Sequence, residues 1–186
     1  MSIVRGPRMK TLLRILAGLV ALILLLVGVA FFLPSTYRVE RSTVIQAPPE
    51  AVFSRVGDLR RWKEWGAWHE RDPAMKLTYS EQSNAVGSWS AWESASQGNG
   101  RMTITRLEAP GRLVYKLEFP DMGTSSEGTM TLVPAGGGVK VIWVDQGNLG
   151  LSPLFRWFGL FIDRMIGPDF EQGLAKLKRL AEASPK

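Results

Sequence analysis

A long apolar run near the N-terminus limits what this chain can be more than any other feature. The nineteen residues 15–33 are all Ile, Leu, Ala, Gly, Val or Phe. At about 1.5 Å per residue, a helix of this length measures about 28 Å, close to the roughly 30 Å hydrocarbon core of a bilayer. A buried helix of a soluble domain normally keeps a polar stripe, and this run has none. The run therefore predicts a transmembrane helix.

A cleavable signal peptide is the alternative to a permanent anchor. Gly28 and Ala30 form a small-x-small pair of the kind that signal peptidase accepts. The apolar region of a signal peptide usually spans about 7 to 15 residues, however, and this one is longer. Its length favours an anchor, and the alternative stays open.

The charges around the apolar run predict its orientation. Arg5, Arg8, Lys10 and Arg14 precede it, and by the positive-inside rule they keep the N-terminus in the cytoplasm. We expect a single-pass protein of the inner (cytoplasmic) membrane, with its domain in the periplasm or otherwise outside the cytoplasm. The predicted divisions are a basic cytoplasmic tail at 1–14, the transmembrane helix at 15–33, a linker at 34–37 and one domain at 38–183.

The composition excludes several classes of function. The chain has 23 basic and 17 acidic residues, and the four basic residues of the tail account for most of the excess. The high pI is therefore no argument for a nucleic-acid partner. Because the chain has no cysteine and only one histidine, His69, it cannot form a disulfide, a thiolate site or a His-rich zinc site. No metal and no cofactor are predicted.

After the linker, the residue pattern predicts one strand, short helices and then six strands. Residues 37–47 are rich in β-branched side chains, and Pro48 and Pro49 end that strand. A helix with the apolar stripe Val52, Phe53 and Val56 follows and ends at Gly57. Short connections containing Gly, Pro, Asn and Asp favour an antiparallel meander. The six further strands are predicted at 76–81, 86–94, 101–108, 113–119, 125–133 and 139–146.

The last segment returns to helical spacing. Residues 152–183 carry an apolar stripe, and Gly167 and Pro168 are expected to break or kink the helix in its middle. An antiparallel sheet with one apolar face needs a cover, which this helix can provide. The pattern predicts an α+β domain preceded by one transmembrane helix.

Three segments carry a resemblance to a known family. They are residues 44–53 at the first strand-to-helix junction, 58–65 after it, and 167–174 with Leu177 and Lys178 near the end. In order and spacing they resemble the START-like superfamily, also called the Bet v 1-like or SRPBCC group, in its polyketide cyclase and dehydrase-like branch. The resemblance implies a helix-grip fold, in which a seven-stranded antiparallel sheet wraps around a long C-terminal helix and leaves a cavity between them.

Relatives use that cavity for lipids, sterols, polyketides and other apolar molecules, sometimes as enzymes and often only as binders. Related sequences often have Trp-Ser-Pro-Trp after the first helix, where this chain has Trp65-Gly66-Ala67-Trp68. The shape of the cavity rim is therefore expected to differ here.

Alternation along the strands suggests which residues would line such a cavity. An aromatic and aliphatic wall with a few carboxylates is typical of small-molecule pockets, although the same residues could simply fill a core. Glu127 and Asp145 are the more informative members, because a buried carboxylate usually has a partner, a raised pKa or a ligand. The candidates are Trp89, Glu93, Tyr115, Glu127, Trp143, Asp145, Phe158 and Phe170.

Two further features have ordinary structural interpretations. His69 adjoins charged residues and is expected in an exposed loop, where it has no oriented partner for catalysis. Trp62, Trp65 and Trp68 recur every three residues and are expected to be core rather than a lipid-facing platform. The apolar stretch 154–166 is either fully buried or rests on the bilayer as an interfacial helix.

Three functions are compatible with these features. The preferred hypothesis is a membrane-anchored binder or transporter of a lipid or other apolar small molecule. The alternatives are an enzyme of cyclase, dehydrase or hydrolase type that uses Glu127, Asp145 or His69, and an interaction module whose pocket is filled by its own side chains. A cavity above about 300 Å³ would favour a ligand.

Overall fold

The N-terminal apolar run forms a helix that projects from the rest of the chain. The computed structural model describes residues 7–183; Arg5 of the predicted cytoplasmic tail lies outside them. Helix α1 (Pro7–Ala30) contains a segment, Met9–Ala30, that is long and apolar enough to cross a membrane by its length and composition. The most apolar part of this segment is not buried against the rest of the protein.

Seven strands form one antiparallel sheet, as predicted. In chain order they are β1 (Thr36–Ile45), β2 (Lys76–Tyr79), β3 (Trp89–Glu93), β4 (Gly100–Glu108), β5 (Arg112–Phe119), β6 (Thr124–Ala135) and β7 (Gly138–Asn148). Strands β2 to β7 follow each other across the sheet, and β1 pairs with β7 at the far side, which gives the order β1-β7-β6-β5-β4-β3-β2.

Short helices connect β1 to β2 along the inner side of the sheet, which is the side that the long C-terminal helix also covers. They are α2 (Pro49–Val56), a 3₁₀ turn at Leu59–Arg61, α3 (Trp62–Trp65) and α4 (Trp68–Arg71). The predicted stripe of Val52, Phe53 and Val56 is buried. The Asp58 side chain accepts a hydrogen bond from the backbone N–H of Arg60 and so begins the 3₁₀ turn.

The C-terminal helical segment is divided at a different place from the one predicted. Helix α5 (Pro153–Gly159) ends before Leu160 and Phe161, and α6 (Ile162–Glu182) then runs without interruption through Gly167 and Pro168. The prediction of a break at that pair was wrong. α6 lies across the inner side of the sheet and packs mainly on β1.

Arg41 of β1 explains why the chain has glycine at position 167. Its guanidinium donates to Asp163 at 2.8 Å and 3.1 Å and to Glu171 at 2.6 Å. These carboxylates lie one turn before and one turn after Gly167, and a Cβ at Gly167 would lie 2.1 Å from Arg41 Nη2. Arg41 therefore crosses α6 at its glycine and holds the turns on either side of Pro168 together.

A second glycine makes room for a core side chain. The inner side of the sheet carries the buried residues Ile104, Tyr115, Met130 and Trp143. Gly128 of β6 lies beneath the ring of Tyr115, and a Cβ at this position would be 1.9 Å from Tyr115 Cζ. The absence of a side chain lets the ring lie flat across the neighbouring strand.

We predict that Gly128→Ala destabilises the domain. The added methyl group would displace the buried Tyr115 ring, and overpacking of this kind typically lowers the free energy of unfolding by about 1 to 3 kcal/mol. The measurement is urea unfolding of the full chain in detergent micelles, followed by tryptophan fluorescence.

Ser125→Ala is the matched control, because Ser125 is an exposed residue of the same strand, where a substitution usually changes stability by less than about 0.5 kcal/mol. Equal unfolding midpoints for the two variants would contradict the packing of Tyr115 over Gly128.

Candidate ligand-binding site

The eight candidate residues do not lie on one surface. The inner side of the sheet holds Tyr115, Trp143 and Asp145; its outer side holds Trp89, Glu93 and Glu127; Phe170 lies in α6 and Phe158 in α5. Phe170 faces Trp143, whereas Phe158 is 46% exposed. The structure therefore brings together four of the eight: Tyr115, Trp143, Asp145 and Phe170.

The register of the strands decides this separation. Asp145 of β7 is directly opposite Gly128 of β6, and Glu127 is opposite Gln146. Because side chains alternate along a strand, Glu127 and Asp145 point to opposite sides of the sheet. On β3, Trp92 is on the inner side, and Trp89 lies outside beneath the guanidinium of Arg101, 4.3 Å from the ring centroid. The expectation that these strand residues share one face was wrong for Trp89, Glu93 and Glu127.

Six aromatic side chains fill the centre between the sheet and α6, and we call them the aromatic cluster. Its members are Trp62, Trp65, Trp68, Tyr115, Trp143 and Phe170. Trp143 stacks on Phe170 with the ring centroids 4.0 Å apart and the planes 7° from parallel. Trp62 and Trp65 meet Trp143 edge-on at 5.8 Å and 5.3 Å. The Trp143 indole N–H donates to Tyr115 Oη at 2.8 Å.

These contacts are at the distances of packed aromatic pairs in protein cores. Trp62 and Trp65 are buried, as predicted for core residues, and Trp68 is half-buried. The side chains of the cluster thus occupy the place where the resemblance implied the middle of a cavity.

Asp145 is the centre of a buried polar network beside the aromatic cluster. Its side chain is 2% exposed and accepts hydrogen bonds from Tyr37 Oη at 2.8 Å and Ser126 Oγ at 3.0 Å. Burial raises the pKa of Asp145 from its usual value near 3.8 to about 6, and the two hydrogen bonds oppose this rise. Burial and the nearby carboxylate of Asp145 also raise the pKa of Tyr115.

Sequence reasoning identified Asp145 but not its partners. Tyr37 and Ser126 are separated from Asp145 by 108 and 19 residues, and they become neighbours only because β1 and β6 flank β7. The one available signal was Gly147: an added Cβ there would lie 2.6 Å from the Tyr37 ring. A glycine within a strand often marks such a close approach.

A pocket of about 130 Å³ lies where the domain meets α1, and we call it the anchor pocket. It opens between the start of β1 and the α5–α6 junction, and its wall includes Tyr37, so that the Asp145 network lies behind it. It is lined by Pro34, Thr36, Tyr37, Arg38, Val39, Leu149, Arg156, Gly159, Leu160 and Asp163.

Arg156 connects this pocket to the end of α1. Its Nη1 lies 3.0 Å from the carbonyl oxygen of Phe31, 3.4 Å from that of Leu33 and 3.5 Å from that of Ala30. The carbonyls of the last turn of a helix lack partners within the helix and carry partial negative charge. The guanidinium therefore satisfies the C-terminal end of α1 and ties the domain to it.

His69 lies in α4 and not in the exposed loop that was expected. Its side chain is half-buried, and burial lowers its pKa. Its Nδ1 is buried and has no hydrogen-bond partner among the described residues. Within residues 7–183, no three His, Asp or Glu side chains form a group that could hold a metal ion.

The sheet and the long C-terminal helix define the class of this protein. A seven-stranded antiparallel sheet packed against the long C-terminal helix α6 is the helix-grip architecture of the START-like superfamily, and in this chain one apolar helix precedes it. The family model described as "Polyketide cyclase / dehydrase and lipid transport" matches residues 36–182, and the chain belongs to this family. No curated protein matches the chain significantly.

Solved structures share the fold at low sequence identity. Protein CV1439 from Chromobacterium violaceum has a TM-score of 0.57 and 22% identity over 81% of this chain and 99% of its own. Protein MLL2253 from Mesorhizobium loti has a TM-score of 0.57 and 20% identity over 80% of this chain and 99% of its own. The di-domain aromatase/cyclase StfQ of the steffimycin biosynthetic pathway has a TM-score of 0.57 and 15% identity over 79% and 51%. These similarities establish the fold.

We predict that Asp145 makes the domain more stable in mild acid. The folded state holds this proton more tightly than the unfolded state, so the contribution is present below about pH 4 and is lost as pH rises through about 6. A shift of about two pKa units corresponds to about 3 kcal/mol. Asp145→Asn removes this dependence, because an amide does not titrate in this pH range. Its oxygen can still accept from one of the two hydroxyl groups, and its NH2 group can donate to the other.

The measurement is urea unfolding of both proteins at pH 4.5 and pH 7. As pH rises, the free energy of unfolding of the wild type should fall relative to that of Asp145→Asn, by up to about 3 kcal/mol. Hydrogen bonds lower the pKa values of Asp72 and Asp163. Their contribution to the pH dependence of stability is the same in both proteins. Glu127→Gln, on the outer side of the sheet, should behave as wild type. Parallel pH profiles for wild type and Asp145→Asn would disprove the prediction.

Proposed function

We propose that this chain is a membrane-anchored protein that binds one end of a lipid or other apolar small molecule in the anchor pocket. Helix α1 holds the domain at the cytoplasmic membrane, with Lys10 and Arg14 on the cytoplasmic side and the domain on the other side. The observation that carries the proposal is the position of the pocket, which lies directly beside the end of α1, with Arg156 contacting both.

The lining of the pocket suits a molecule with both apolar and polar parts. Val39, Leu149 and Leu160 provide apolar surface, and Arg38, Arg156 and Asp163 provide charge. Its volume of about 130 Å³ is below the roughly 300 Å³ at which pockets for whole small molecules usually begin. It therefore accommodates a head group or the end of a chain, while the remainder of the molecule stays in the adjacent bilayer.

Tethering raises the chance that such a pocket is occupied. β1 begins six residues after α1 ends, so the pocket stays close to the membrane surface, where apolar molecules accumulate. A short connection of this kind gives a high effective concentration without any additional contact. The description of the family, which includes lipid transport, supports the same class of ligand.

An enzyme of cyclase, dehydrase or hydrolase type is the second candidate. The raised pKa of Asp145 favours it, because a carboxyl group with a pKa near 6 can exchange protons near neutral pH. Against it, Asp145 is almost fully buried and both its oxygens already accept hydrogen bonds from side chains. Loss of turnover of a bound compound in Asp145→Asn, with binding retained, would favour the enzyme.

We predict that filling the anchor pocket removes the bound molecule. The full chain is purified from membranes in mild detergent, and the compounds that remain with it are extracted and identified by mass spectrometry. Leu160 lines the pocket, and Leu160→Trp should lower the bound amount about tenfold, which corresponds to about 1.4 kcal/mol of binding free energy.

Leu154→Trp is the matched control. Leu154 is 75% exposed, precedes Leu160 in the same helical segment and does not line the pocket. The amount of lipid that adheres to α1 should be the same in all three proteins. Only the difference between the two variants therefore measures binding in the pocket. Equal amounts in wild type and Leu160→Trp, or a wild type without any specific compound, would contradict the proposal.

A further inference from the structure

An exposed apolar surface lies on α5 and the α5–α6 junction, and among its residues only Leu160 also lines the anchor pocket. It consists of Leu151, Leu154, Phe158, Leu160, Phe161 and Met165, whose exposed fractions range from 46% to 76%. Leu154 and Phe158 are one turn apart on α5, Phe161 lies in the turn that separates α5 from α6, and Met165 lies in the first turn of α6. We call these six residues the α5 surface.

Helix α5, which carries part of the α5 surface, packs against the last turns of α1. The Trp157 indole N–H donates to the carbonyl oxygen of Leu26 at 3.1 Å. Leu26 lies four residues before Ala30, the last residue of α1. At about 1.5 Å per residue, this contact lies about 6 Å below the end of the helix. α5 is therefore held alongside the last turns of the membrane helix.

The two side chains that hold α5 to α1 are those preferred at a membrane interface. Trp is enriched at the level of the lipid head groups, and Arg keeps its charged end in the polar layer while its stem lies along apolar surface. Trp157 contacts α1 at Leu26, and Arg156 contacts it further along, between Ala30 and Leu33. Their order along α1 is the order expected from acyl chains towards water.

We infer that the α5 surface is a second membrane contact, inserted among the lipids of the leaflet on the domain's side. Interfacial helices bury their apolar faces about 5 to 10 Å into the boundary between head groups and acyl chains, and the position of Trp157 on α1 agrees with this depth. Residues 151–165 contain one acidic side chain, Asp163, which is paired with Arg41, and two basic ones, Arg156 and Arg164, which favour an anionic lipid surface.

This contact fixes the orientation of the domain. α1 alone would let the domain rotate and tilt about its linker, whereas α1 and the α5 surface together hold one end of the sheet against the bilayer. The anchor pocket lies between the two contacts, so it opens where lipid can enter it directly. The inference rests on the part of the proposed function that places α1 across the bilayer, and it does not require a bound ligand.

Spin labelling of the full chain tests this inference, because the sequence has no native cysteine. Single variants Leu154→Cys, Phe158→Cys, Val86→Cys and Val20→Cys are labelled with a nitroxide in vesicles of phosphatidylethanolamine and phosphatidylglycerol. The accessibility of each label to oxygen and to a water-soluble nickel complex reports its depth. Val20 lies within α1, and Val86, which is 62% exposed, lies in the loop before β3 at the other end of the sheet.

Labels at Leu154 and Phe158 should have several-fold lower access to nickel than the label at Val86, and their depth should lie between those of the labels at Val86 and Val20. Water-like access at Leu154 and Phe158 with a membrane-embedded Val20 would overturn the inference and leave the anchor intact. Water-like access at Val20 as well would overturn both the inference and the assignment of α1 as a membrane anchor. Spectral broadening at Leu154 that disappears on dilution with unlabelled protein would identify a second copy, and not lipid, as the occupant.

Trp157→Phe provides an independent test of how the contact is held. This change keeps an aromatic ring and removes the N–H that donates to Leu26. In the Phe158→Cys background, Trp157→Phe should increase the access of nickel to the label. In the Val20→Cys background, the same change should leave the access of nickel to the label unchanged. Trp89→Phe, the same change on the outer side of β3, is the matched control and should leave both labels unchanged. Identical depths at Phe158 in the Trp157→Phe and Trp89→Phe proteins would show that the hydrogen bond does not position α5.

Discussion

The stacking of Trp143 on Phe170 is the contact on which the rest of the domain depends. Trp143 is fully buried on β7, next to the edge strand β1, and its indole N–H donates to Tyr115 two strands away. Phe170 brings α6 onto the same ring, and the tryptophans of α3 close over its edges. One side chain thus joins the sheet, the terminal helix and the connecting helices, and its partners leave the centre of the grip filled.

The centre of the grip is filled, and the anchor pocket lies at the end of the sheet that adjoins α1. Tyr37 connects the two regions, because its hydroxyl group donates to buried Asp145 and its ring borders the anchor pocket. Arg156 lines the same pocket and contacts the last carbonyls of α1. The pocket and the junction between the domain and α1 therefore share Arg156, so that a change at the α1–α5 junction alters both.

Much of the fold could be predicted from local patterns, and the site much less. Seven strands, the short tryptophan-containing helices and the long terminal helix all follow from periodicity and from Gly and Pro positions. The helix break was misplaced because Gly167 and Pro168 are strong helix-breaking signals, and Arg41, distant in sequence, holds that turn together. Trp89, Glu93 and Glu127 lie elsewhere because alternation along a strand defines two faces without deciding which of them points inward, and Phe158 lies on α5 instead of the sheet.

The sequence by itself determined the apolar helix, the α+β class and the family, since hydropathy, spacing and composition are properties of neighbouring residues. Only the tertiary structure decided that Glu127 and Asp145 face opposite sides, that Tyr37 and Ser126 hold Asp145, and that Trp157 and Arg156 attach the domain to α1. The reason is physical: apart from Ser126, these partners lie more than a hundred residues apart in the chain, and the packing of the whole sheet brings them together.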